Sequence, residues 1–160
     1  MPQTAEFLLG EYPRSLDDRY RISLPSEMQD VLPVGCECIL AKERPGCLSL
    51  WRADTWQAKW DAGMDILRGK LRAGKLEGRW EEVQQLGRLL STRHRNVLLA
   101  ERGRLVIPEG FREFLAVDPG GDVMVVGAAV CIELWQPAAW HAFLGERMPE
   151  FRKLFDQLTS

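Results

Sequence analysis

The alternation of apolar and polar residues runs through this chain twice. Leu16-Asp17-Asp18-Arg19-Tyr20-Arg21-Ile22-Ser23-Leu24-Pro25 lines up with Leu99-Ala100-Glu101-Arg102-Gly103-Arg104-Leu105-Val106-Ile107-Pro108. A second block, Cys47-Leu48-Ser49-Leu50-Trp51 then Trp56, lines up with Cys131-Ile132-Glu133-Leu134-Trp135 then Trp140. The blocks come in the same order, with one residue gained between them, which marks an internal repeat.

Each copy predicts the same elements. A strand (about 11–16, and about 96–99) enters a charged turn. A second strand leaves the turn and stops at Pro25 or Pro108. Met28, Val31 and Leu32 in copy one, and Phe111, Phe114 and Leu115 in copy two, have the spacing of a short helix. Loops over 33–35 and 119–121 lead into β-hairpins that turn at Pro45-Gly46 and at Gly127. A helix with Trp56 and Trp60, or with Trp140, Phe143 and Leu144, closes each copy, and Pro137 suits a first helical turn.

A half with so few strands cannot cover its own sheet edges. The two halves are therefore expected to complete one closed pseudo-twofold barrel. The expected fold is α+β, mainly β, a β-barrel with flanking helices. Its parts are a first repeat (7–60), a helical insert (61–91), a second repeat (92–145) and an amphipathic tail (146–160).

In the insert, Gly63, Gly69, Gly74 and Gly78 argue against one clean helix, and Trp80, Val83, Leu86 and Leu90 predict a helix over about 77–90. Arg68, Lys70, Arg72, Lys75 and Arg79 are opposed there only by Glu77, a pattern that reads first as a solvated face. Phe151, Leu154, Phe155 and Leu158 give the tail an apolar stripe that needs something to lie on.

Composition narrows the function. The chain has 160 residues, 46% of them hydrophobic and 28% charged, enough for a core and a polar surface. No apolar run is long enough to span a bilayer, and the segment before Gly10 lacks the basic start of a secretory signal, so an intracellular protein is expected. Cys36, Cys38, Cys47 and Cys131 lack the paired spacing of a zinc site and read as small strand residues, so no metal or cofactor is expected. The net charge of −2 gives no general affinity for nucleic acid, so any such contact must come from a local patch.

The charged turns supply that patch. Arg14, Arg19 and Arg21 crowd the first turn, and Arg93, Arg95, Arg102 and Arg104 crowd the second, beside His94. So short a link needs a residue with positive φ. Gly103 serves in copy two, whereas Tyr20 occupies that place in copy one. Asp17 can accept from the backbone two residues on and stiffen its turn, which Ala100 cannot. Guanidinium groups on a stiff turn can bind phosphate and can pair with guanine in a major groove wide enough for a two-stranded ribbon.

These segments resemble the MraZ family over about residues 7–145. The resemblance rests on Leu16-Asp17-Asp18 with Arg21-Ile22-Ser23-Leu24-Pro25, on the Cys47-Leu48-Ser49-Leu50-Trp51 strand with its Trp helix, and on Gly103-Arg104-Leu105-Val106-Ile107-Pro108. The family carries a D-x-x-x-R motif in each half. Asp17, Arg21 and Arg104 match it, whereas Ala100 and Tyr20 depart from the aspartate and the glycine. The resemblance implies two swapped-hairpin, double-psi SpoVT/AbrB-like halves. It also implies a homo-oligomeric ring that binds short repeated boxes in double-stranded DNA. Such a regulator acts on the bacterial division and cell-wall gene cluster, its own operon included, in the cytoplasm and on the nucleoid. The family motif carries over Asp17, Arg21 and Arg104, and the charged turns add Arg14, Arg19 and Arg102 as candidate DNA contacts, with Asp17 and Gly103 shaping the turns. No membrane or small-molecule substrate is implied.

Two other classes fit less well. His94 and His141 sit in no metal-ligand or nucleophile pattern, and no phosphate-binding glycine loop is present, so catalysis is not expected. In the alternative reading, the arginine turns of a protein-interaction scaffold bind an acidic partner. The tryptophans that would serve as its contacts recur at matched repeat positions, which suits core packing better.

Overall fold

Repeated patterning becomes repeated structure in a computed structural model that describes residues 7–32 and 35–160. Copy one forms β1 (Glu11–Ser15), β2 (Arg21–Ser23), the short α1 (Ser26–Gln29), β3 (Glu37–Arg44), β4 (Cys47–Arg52) and α2 (Ala53–Arg72). After α3 (Trp80–Arg93), copy two forms β5 (His94–Leu98), β6 (Arg104–Val106), α4 (Arg112–Leu115), β7 (Asp122–Gly127), β8 (Ile132–Trp135) and α5 (Pro137–Arg147). Helix α6 (Phe151–Thr159) follows. Most of the expected loop over 33–35, and the start of the segment read for a secretory signal, lie outside the described residues.

The halves interlock. A six-stranded antiparallel sheet has the order β1-β7-β8-β4-β3-β5, and β2 pairs with β6 in a separate ribbon. Exchanging each strand for its repeat equivalent and reversing the order leaves the sheet unchanged. The first strand of each half pairs with the hairpin of the other, β1 on β7 and β5 on β3. The hairpins meet at the centre, where Leu48 faces Leu134 and Leu50 faces Ile132.

Period-two alternation builds two apolar layers. Leu40, Leu48, Leu50, Val123, Val125, Ile132 and Leu134 point to one face, where Ile22 and Leu105 of the ribbon, Met28 of α1 and Leu115 of α4 cover them. The opposite face carries Trp51 beneath Trp56 of α2 and Trp135 beneath Trp140 of α5, with ring centroids 5.9 and 5.2 Å apart. The matched tryptophans are therefore packing residues. Burying a leucine or isoleucine side chain stabilises a fold by about 1.5–3 kcal/mol, and each layer holds several.

Two expectations need correction. The sheet is not a closed barrel, because among the described residues β1 and β5 are its unpaired ends. Pro25 and Pro108 stop β2 and β6 after three residues, so the ribbon cannot extend to bridge the edges. Pro13 on β1 and the exposed Arg95 and Asn96 on β5 discourage further strand addition. The reading of Gly63 and Gly69 as interruptions is the second, because α2 runs through both to Arg72, across residue 60. An interior glycine costs a helix about 1 kcal/mol, which the surrounding helix formers offset. The break falls instead between α2 and α3, around Gly74 and Gly78.

Candidate nucleic-acid interface

Ribbon β2–β6 has an inner and an outer side. Ile22 and Leu105 pair across it and are 1% and 0% exposed, so they fix the inner side. Alternation then directs Arg21, Ser23, Arg104 and Val106 outward. Arg21 stands opposite Val106 and Ser23 opposite Arg104, which makes the two arginines diagonal neighbours on one exposed face. Such neighbours lie roughly 7–8 Å apart. The turn before β2 and the turn before β6 extend from opposite ends of the ribbon, each with one more exposed arginine, Arg19 and Arg102.

The first turn is organised by Asp17. One carboxylate oxygen accepts from the backbone N–H of Arg19 and of Arg21, each at 2.8 Å, and the other accepts from Arg21 Nε at 2.7 Å. The Arg21 backbone N–H is the largest influence holding the Asp17 carboxyl below its ordinary range. Tyr20 has φ 59°, a conformation an L-residue adopts at a cost of about 1–2 kcal/mol.

The second turn lacks this carboxylate. Ala100 and Arg104 still close it by a backbone bridge, and the Ala100 N–H donates to the Arg104 carbonyl at 2.9 Å. Arg102 and Gly103 both have positive φ, at 63° and 64°. Among the described residues Arg104 Nε reaches only the Glu101 carbonyl, at 3.5 Å. Among the described residues no carboxylate pairs with Arg19, Arg102 or Arg104, whereas Arg21 pairs with Asp17.

The other basic residues named from the sequence are dispersed. Arg14 lies on edge strand β1, where it donates to the Pro13 carbonyl and stands 5.9 Å from the Tyr12 ring centre. Arg93 pairs with Glu43 at 3.4 Å and covers Trp56, and Arg95 lies over Phe111. His94 packs against Trp56 and Trp60, and burial is the first cause that lowers its pKa. They do not join the second turn.

The four cysteines are free thiols, three of them buried, and burial pushes Cys38 and Cys131 up to about 12. Among the described residues no cluster of three His, Cys, Asp or Glu side chains could hold a metal, and no helix is long and apolar enough to cross a membrane.

Sequence reasoning missed Gln29 and Arg112. Gln29 Nε2 donates to the Leu24 carbonyl at 2.9 Å and to the Arg102 carbonyl at 3.3 Å. Arg112 Nε donates to the Ile107 carbonyl at 2.7 Å, and its guanidinium carbon lies 4.0 Å from the centre of the Tyr20 ring. The two occupy equivalent repeat positions, a signal available only once the repeat is extended past Pro25 and Pro108.

The molecule is thus an α+β protein of two interlocked halves with arginine turns at both ends of a shared ribbon. Comparison with known proteins bears out its resemblance to the MraZ family. Residues 89–159 match the family model MraZ, described as "MraZ protein, putative antitoxin-like". A protein of Syntrophomonas wolfei named Transcriptional regulator MraZ is 25% identical over 94% of this chain and 96% of its own length. Proteins of the same name from Acetivibrio thermocellus and Salinispora tropica are 27% and 29% identical, covering 86% and 89% of this chain and 86% and 91% of their own lengths. The solution structure of PHS018 from Pyrococcus horikoshii aligns over 81% of this chain and 90% of its own, with 10% identity and a TM-score of 0.33, a likeness too loose to bear on the fold.

Proposed function

We propose that this protein is a sequence-specific, DNA-binding transcriptional regulator that meets DNA with the outer side of the β2–β6 ribbon and its two turns. The observation that carries the reading is the pairing of Arg21 and Arg104 as outward diagonal neighbours, flanked by exposed Arg19 and Arg102. A two-stranded ribbon fits the major groove, where guanidinium groups bind phosphates and guanine edges. The names of the relatives supply the regulatory role. Arg14, on the edge strand β1, completes the set, and Asp17 and Gly103 shape the turns.

In this reading the halves are swapped-hairpin, AbrB-like repeats over 7–60 and 92–145. The insert (61–91) and tail (146–160) serve assembly into a homo-oligomeric ring. Phe151, Leu154, Phe155 and Leu158 of α6, each more than half exposed, offer a subunit contact. A ring repeats the ribbon at intervals and suits short repeated DNA boxes, so that weak single contacts add as avidity. The targets are the division and cell-wall genes, including its own operon, which places the protein on the nucleoid.

The test is a mobility-shift titration on duplex DNA from upstream of its own gene, across a salt series, against a shuffled duplex and an acidic peptide. Preferential, salt-sensitive binding of the upstream duplex is expected. Equal binding of both duplexes, or capture of the acidic peptide alone, overturns the reading.

A further inference from the structure

Each arginine turn is held from the other half. Tyr20, in the first turn, presents its carbonyl to the N–H of Ile107 at 2.8 Å, and its ring lies beneath the guanidinium of Arg112 on α4. Gly103, the equivalent residue of the second turn, presents its carbonyl to the N–H of Leu24 at 3.0 Å and lies against Gln29 on α1. A Cβ at residue 103 would come within 2.7 Å of the Gln29 side chain, so this latch requires glycine. The first latch needs a ring, because a cation over an aromatic face is its cross-half side-chain contact. The tyrosine-for-glycine departure noted in sequence and the arginine-for-glutamine difference found in the structure thus form one matched pair.

We infer that Arg112 and Gln29 are positioning residues. Arg112 sets the turn that displays Arg19 and Arg21, and Gln29 sets the turn that displays Arg102 and Arg104. Neither guanidinium nor amide need touch DNA, since Arg112 Nε is occupied by the Ile107 carbonyl and Gln29 Nε2 by two carbonyls. Their effect on recognition rests on the proposal that the turns meet DNA, whereas the latch itself is a property of the free protein.

The experiment is a double-mutant cycle that converts the first latch to the chemistry of the second. Arg112→Gln, Tyr20→Gly and the double variant are compared with the parent chain by backbone NMR, melting temperature and binding of the upstream duplex. Arg112→Gln is expected to move the amide resonances of residues 19–21 and to weaken binding about tenfold while the melting temperature changes little. The double variant is expected to recover most of the loss, because Gly with Gln is the pair already present around residue 103. Arg112→Lys keeps a cation over the ring and is expected to fall between parent and Arg112→Gln.

Single effects that simply add overturn the latch, as do unmoved amides at residues 19–21 or a binding loss that follows the melting temperature across all variants. Coupled amide shifts in a protein that binds no duplex keep the latch and overturn the DNA reading instead.

Discussion

A single carboxylate, Asp17, closes the first turn with three hydrogen bonds and ties down Arg21, whereas Ala100 leaves the second turn to its backbone and to Gln29 of the other half, and leaves Arg104 with one long contact. The first turn is more preorganised, and the second offers freer guanidinium charge. Rigidity lowers the entropy lost on binding, while an unpaired cation contributes more attraction to phosphate. The comparison shows how a duplicated element can divide its work. In the proposed DNA-binding role, one copy would fix a geometry and the other would supply charge that adapts to what that geometry has placed.

The largest effect is expected when both copies are disarmed. Arg21→Ala with Arg104→Ala should weaken operator binding by at least about 30-fold, since each arginine contact is worth about 1–3 kcal/mol. Unchanged binding by this folded variant, measured by titration at fixed salt, would remove both turns from the interface.

Next in size is loss of the tail. If α6 assembles the proposed ring, deleting residues 149–160 should reduce the mass seen by light scattering and lower affinity by the avidity such a ring would supply. The same deletion sharpens the comparison, because the ratio between the two single arginine variants is then read one site at a time. An unchanged mass would detach α6 from assembly.

The single variants come third. Arg21→Ala should hurt more than Arg104→Ala, because it also frees Asp17 from its side-chain partner. Asp17→Ala should reduce hydrogen-exchange protection of the Arg19 and Arg21 amides, and Ala100→Asp should increase protection at Arg104. A larger loss from Arg104→Ala would invert the division of labour. The Asp17 carboxyl is held below its usual value of 3.8, so its contribution is fully present above that pH and fades only as the pH falls through the lowered value. Binding between pH 6 and pH 8, roughly neutral conditions, should therefore be blind to Asp17 titration.

The smallest effect on DNA is expected where the halves differ far from the turns. Glu133 faces its repeat equivalent Ser49 at the centre of the sheet, and burial raises its pKa. Its neutral form is favoured by folding, so stability is greatest below the ordinary carboxylate value and falls as pH rises through the raised one. Glu133→Gln can still accept from Trp135 Nε1, which now donates to Glu133 at 2.9 Å. It should raise the melting temperature at neutral pH without altering DNA binding. A binding change of the size seen with Arg104→Ala would show that the sheet centre and the turns communicate.

The repeat made most of these elements legible. Leu16–Pro25 and Leu99–Pro108 do form equivalent turn-and-strand units, the hairpin turns at Pro45-Gly46, and Pro137 opens α5. The turn chemistry was legible as well, since an aspartate at residue 17 can act on backbone within its own reach. Long-range geometry was not. Whether β2 and β6 join the main sheet or pair only with each other depends on curvature that strand patterns do not encode. Gly63 and Gly69 read as interruptions because their cost is local, while the packing of Trp56 and Trp60 that holds α2 is not. The cations near residue 94 looked contiguous with the second turn, yet Arg93 and His94 are drawn to the tryptophans of the first half.

Strand exchange also governs the order in which the chain can become a protein. The segment of β1 emerges early from the ribosome, but its partner β7 follows about a hundred residues later, a delay of roughly 5–20 seconds at ordinary elongation rates. During that interval the first half exposes an incomplete apolar face, and neighbouring nascent chains on one message can offer the missing hairpin. Synthesis speed and chaperone supply thus decide whether the halves find each other within one chain or between two.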